Sequence, residues 1–159
     1  MGATANLRFL TADEVAHVTA APGEIEDFLF PPEVENPFEG QISLDKAWHA
    51  IHYILTGAVG TDGSALGDAV LGGCEIGPSL GYGSARLLSA DRVREIAGAL
   101  AAVDFLGRFD ATPGDVPAQI YLGRNLKQEY AYLARHFQHL RQAYITAARD
   151  NFALLIYLG

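Results

Sequence analysis

The spacing of hydrophobic residues changes several times along the chain, and each change marks an element. "NLRFL" (6–10) alternates and predicts a short strand. "TADE" then reads as a capping box, with Thr11 as N-cap and Glu14 reaching back, opening a helix through "VAHVTA". In "SLDKAWHAIHYILTG" (43–57) the spacing becomes helical and predicts a second helix over 43–56, with Ser43 as N-cap and Gly57 just past its end. "SALGDAVL" (64–71) is a short helical piece, "SARLLS" (84–89) a second strand and "ADRVREIAGALAAV" (90–103) a further helix. The stripe Leu126, Tyr130, Leu133, Phe137, Leu140, Tyr144 and Ala148 predicts a long helix from about 125 to 150. "FALLIYL" (152–158) is apolar on both faces, as a strand inside a sheet must be. The stretches 30–40, 72–83 and 109–120 read as loops. Together these predict one α+β domain, a small sheet of about three strands covered by helices.

Two stretches match each other. "NLRFLTADEVAHV" (6–18) and "SARLLSADRVREI" (84–96) share Arg8 and Arg86, Leu10 and Leu88, Ala12 and Ala90, Asp13 and Asp91, and Val15 and Val93 in register. Thr11 and Ser89 are both N-caps. The match is either a duplication or two solutions to one local problem, since a strand-to-helix joint favours a hydroxyl cap and an acid in the first turn. The shortness of the match favours the second.

A helical wheel through 43–56 puts Leu44, Trp48, Ile51 and Leu55 on the core face, bordered by a polar stripe of Asp45, His49, His52 and Thr56. Such a stripe either lines a cleft or caps a core. Residues 57–83 hold nine of the seventeen glycines, so a cleft between this helix and that region would be lined by Asp45, His49, His52, Thr56, Tyr82 and Arg86. His49 and His52 are spaced to chelate, with Cys74 as a conceivable third ligand. However, "HAIH" lacks the Glu of H-E-x-x-H and no cysteine pair exists, so neither metal nor cofactor is expected. His136 and His139 are expected to face solvent. Cys74 lacks a recognisable catalytic context and the glycines at 72, 73, 77, 81 and 83 do not make G-x-G-x-x-G, so no catalytic residue is assigned.

Charge adds a different feature. The net charge is −8, and no Lys or Arg falls between Arg8 and Lys46, where nine acids lie; residues 46–159 balance ten against ten. Glu24, Glu26, Asp27, Glu33, Glu35 and Glu39 form the candidate interaction surface. Such a segment repels nucleic acid and steers a basic protein partner, or simply keeps the chain soluble. No apolar run is long enough to span a bilayer and no signal peptide is evident, so neither membrane contact nor export is expected. Cys74, the only cysteine, permits no intrachain disulfide and fits a cytoplasmic setting.

Three blocks carry a family resemblance: "LDKAWHAIHYILTG", "LGGCEIGPSLGYGSARLLSADRVREIAGAL" and "IYLGRNLKQEYAYLARHFQHLRQAYITAARDNFALLIYLG". They resemble the YfbM-like family, a bacterial family of unknown function, through Leu44, Asp45, Lys46, Trp48, His49, Leu55 and Gly57, and through Gly72, Gly73, Gly77, Tyr82, Gly83, Arg86, Leu88 and Ser89. The resemblance implies a compact cytoplasmic α+β protein and no established activity, so it transfers no functional residues. It departs at "IYLGRN", where the family often has Tyr-Pro followed by Trp. The expectation favoured is a non-enzymatic module that offers the acidic 9–45 segment to a basic partner. The alternative is a small-molecule-binding protein or enzyme using the cleft beside the second helix.

Overall fold

The computed structural model describes residues 2–159. In chain order its elements are β1 (Ala5–Leu10), α1 (Ala12–Ala20), a 3-10 turn (Pro22–Glu24), α2 (Ile25–Leu29), β2 (Ile42–Asp45), α3 (Trp48–Thr56), α4 (Ala65–Leu71), β3 (Cys74–Ser79), β4 (Ser84–Leu88), α5 (Ala90–Ala101), α6 (Phe105–Ala111), a second 3-10 turn (Gly123–Gln128), α7 (Tyr130–Arg149) and β5 (Ala153–Leu158). The α+β class holds, with five strands where about three were expected.

The strands form one sheet in the order β2-β1-β5-β4-β3, and every neighbouring pair is antiparallel. β5 lies at the centre, which explains its unbroken apolar run. Leu154 and Ile156 enter one core, while Ala153, Leu155 and Tyr157 enter the other. The larger core lies under α3 to α7 and includes Leu7, Ile51, Leu55, Ile96, Leu133 and Phe137. The smaller lies under α1 and α2, built on Leu10, Val18, Ile25, Leu29 and Ala85. Among the described residues no helix is long and apolar enough to cross a membrane.

Several expectations need correction. The second helix does not begin at Ser43. Residues 42–45 are β2, paired with β1 through Asn6 and Ser43, and Asp45 at φ 47° turns the chain before α3 starts at Trp48. Ser43 Oγ caps no helix; it accepts from the Asp45 amide at 3.0 Å. The 72–83 stretch is not all loop, because Cys74–Ser79 is the edge strand β3. Residues 105–111 form α6, capped by Asp104, where 109–111 were read as loop. The long helix begins at Tyr130, not near Asn125, because 123–128 wind as a 3-10 turn. His136 is buried, not solvent-facing: it falls on the stripe Leu133, His136, Leu140, Ala143, Ala147, which recurs every three or four residues. His139 is exposed, as expected.

Both matched joints form as predicted. Thr11 accepts from the Glu14 amide and Ser89 from the Arg92 amide, and the Thr11–Glu14 box is complete. Yet the units are not equivalent. Across β5, Leu155 pairs with Arg8 on one side and with Leu87 on the other. That one-residue slip turns matched side chains to opposite faces. Leu10 packs in the smaller core and Leu88 in the larger.

Candidate functional site

The polar stripe of α3 directs its hydrogen bonds to neighbouring backbone. His49 Nε2 lies 2.9 Å from the Val59 carbonyl and His52 Nε2 lies 2.9 Å from the Gly60 carbonyl. A carbonyl only accepts, so Nε2 of each ring is the donor. Thr56 donates to the His52 carbonyl at 2.9 Å and accepts from the Ala58 amide at 3.1 Å. These three side chains therefore hold the 57–60 loop against the helix. Gly57 permits the loop's departure, at φ 72°.

Trp48 supports this arrangement from the side. Its ring stacks on His49 with centroids 4.6 Å apart and planes 7° from parallel, and its indole N–H donates to the Ala3 carbonyl at 2.8 Å. It is partly buried against the larger core, consistent with its core-facing position on the wheel. His52 is fully buried. Its Nδ1 is buried without a hydrogen-bond partner among the described residues, and burial holds the imidazole below its ordinary value.

The other candidate cleft residues lie apart. Asp45 accepts from the Tyr132 hydroxyl at 2.8 Å; burial first, then that carboxylate, raises the phenol to about 12. Thr56 also lines an open groove of about 290 Å³ where α3 meets α6. Tyr82 stands exposed at the tip of the β3–β4 hairpin. Arg86 donates to the Val70 carbonyl at 3.1 Å and the Gly72 carbonyl at 3.3 Å, placing a cation at the C-terminal end of α4. Its matched residue, Arg8, lies on the opposite face, where it donates to the Phe28 carbonyl at 2.8 Å and pairs with Glu14 at 3.2 Å. Among the described residues no group of three or more His, Cys, Asp or Glu side chains is placed to hold a metal ion.

The acidic segment crosses the sheet face that α1 and α2 cover. Ile25 and Leu29, four residues apart, anchor α2 in the smaller core and leave Glu26 and Asp27 outward. At one end Gly77 of β3 meets the segment closely: a Cβ there would stand 2.3 Å from the Pro22 carbonyl oxygen. At the other end Gln41 accepts from the Tyr157 hydroxyl. Glu24, Glu26, Asp27, Glu33, Glu35 and Glu39 are all exposed, and among the described residues none of them forms an ion pair. Val34 and Phe38, 46% and 56% exposed, stand among them. Beside them an open groove of about 550 Å³ is lined by the apolar Phe9, Leu29, Val34, Pro37 and Phe152 and by the charged Arg8, Glu14 and Glu39. The exposure of Val34 and Phe38 within the acidic stretch had no periodic signal in the sequence.

Comparison with known proteins places this geometry. The model of a family described as "Domain of unknown function (DUF1877)" matches residues 1–157. A solved structure described as a protein of unknown function, YfbM from Escherichia coli, superposes with a TM-score of 0.73 over 98% of this chain and 99% of that one, at 16% identity. At that identity the likeness shows the shared fold. None of the curated proteins matches the chain.

Proposed function

Because the chain belongs to the DUF1877 family of domains of unknown function, we propose its role from its own surface: a non-enzymatic, cytoplasmic interaction module that docks a basic protein through the acidic segment. The observation carrying this reading is that the six acids are exposed and unpaired among the described residues, on a segment that Ile25 and Leu29 anchor to the sheet. A chain that used these carboxylates for its own fold would pair them, as it does Glu14 with Arg8 and Asp68 with Arg92. Val34 and Phe38 supply apolar contact inside the charged rim, the combination that lets a docking surface hold what its field attracts. The reading is preferred to a ligand cleft beside α3 because His49, His52 and Thr56 direct their hydrogen bonds to neighbouring backbone.

The test is a comparative pull-down from a lysate of the native host. Wild type and the Glu33→Lys, Glu35→Lys, Glu39→Lys triple variant serve as bait, with equal melting temperatures as the control for folding. The proposal expects wild type to retain a basic protein at low salt, to release it as salt rises, and the triple variant to lose it. Recovery of the same proteins in the same amounts by both baits would overturn it.

A further inference from the structure

The hydrogen bonds of the 57–64 connection divide it into two halves. Residues 61–64 are tied through an ion pair on other elements: Thr61 donates to Asp68 at 3.1 Å, and Arg92 donates to the Gly63 carbonyl at 2.8 Å while pairing with Asp68 at 2.6 Å. Residues 57–60 are held instead by two imidazoles and a hydroxyl of α3. One imidazole, His52, is fully buried, with a bonded Nε2 and an Nδ1 that has no hydrogen-bond partner among the described residues.

A neutral ring suits that site. A second proton would occupy Nδ1, creating a buried cation with one N–H unsatisfied. The surrounding charges do not all act in one direction: His49 on α3 and Arg86 on β4 oppose the cation, while Asp62 in the connection favours it. Asp62 is exposed and its Oδ1 already accepts from the Ser64 amide and hydroxyl, so its pull is screened. The Gly60 carbonyl also favours the charged ring, yet it is satisfied at Nε2 and offers nothing to Nδ1. Desolvation dominates.

We propose that His52 is a proton-sensitive latch: its protonation withdraws the ring from the Gly60 carbonyl and releases the Gly60 end of the loop from α3, while Val59 stays on His49, Ala58 on Thr56, and 61–64 remain tied through Arg92.

The test follows imidazole nitrogen and backbone amide NMR signals of the intact protein from pH 8 to pH 5. At pH 8 His52 should show the neutral ring with its proton on Nε2. Its protonation midpoint should fall below the ordinary imidazole value of about 6.5. The amide signals of Gly60 and Thr61 should move with that same midpoint. In His52→Gln the side-chain amide can still donate to Gly60 but cannot titrate, so the loop signals should lose this transition; in His49→Gln they should keep it. The proposal is overturned if His52 titrates at or above 6.5, if the wild-type loop signals do not follow it, or if they titrate equally in His52→Gln. The wild-type titration decides even should either variant fail to fold.

Discussion

The two arginines of the repeated sequence unit show how single residues divide the labour between the sheet faces. Arg86 is partly buried, and its guanidinium serves two carbonyls at the end of α4. Arg86→Met keeps much of the stem's packing but leaves those acceptors poorly satisfied, and should cost about 2–3 kcal/mol in urea unfolding, as for hydrogen bonds from a charged donor. Three tyrosines allow a second prediction. Burial first raises Tyr132 and Tyr157 to about 12, and pushes fully buried Tyr144 upward as its hydroxyl donates to the Ala69 carbonyl at 2.7 Å. A raised phenol favours the folded state in its neutral form. That contribution is complete below pH 10 and is lost as pH rises from about 10 through the folded value. Absorbance near 295 nm should therefore show these rings ionising late, with part of the signal appearing together with alkaline unfolding. Full ionisation of all seven tyrosines near pH 10 in the folded protein would refute it.

Among the elements, those with a strong period or a cap were legible in the sequence and those held by backbone pairing alone were not. β5 could be read because both its faces are buried, and α1 and α5 because Thr11 and Ser89 announce them. β3 could not: it is an edge strand whose side chains are mostly exposed, so no alternation marks it. β2 was hidden because "ISLD" runs into α3 without breaking the apolar spacing, and only the turn at Asp45 separates them. The α3 histidines were visible as a stripe, but their partners are carbonyls of Val59 and Gly60, and a backbone acceptor leaves no mark on sequence. Gly77 of β3 gives the element-scale prediction. It combines φ 74° with close approach to Pro22 and Ile25, whereas Gly81 at φ 108° has open space where a Cβ would lie. Gly77→Ala should cost about 2–4 kcal/mol through strain plus displacement of the 22–25 turn, and Gly81→Ala about 1–2 kcal/mol through strain alone. Thermal or urea unfolding of the pair checks the order, and equal losses would mean that the Pro22 contact contributes nothing.

For the whole molecule, the division between a large core under five helices and a small one under the acidic segment puts a charged sheet face opposite a helical layer. The location of the charge in the chain was plain from the sequence. Its display was not, since exposure depends on how Ile25, Leu29 and Phe30 seat the segment. The proposed docking role has a kinetic signature, because unpaired exposed acids act over a distance, before contact is made. Reversing Glu33, Glu35 and Glu39 should leave the melting temperature within about 2 °C, as such exposed charges each contribute a few tenths of a kcal/mol at most. The most direct measurement is the association rate constant of the purified protein with its captured basic partner, taken by stopped flow across a salt series. The wild-type rate should fall steeply as salt rises, and the triple reversal should be slower by roughly tenfold or more at low salt, converging on wild type at high salt. Rates that coincide at low salt, or a wild-type rate indifferent to salt, would contradict the acidic face as the docking surface.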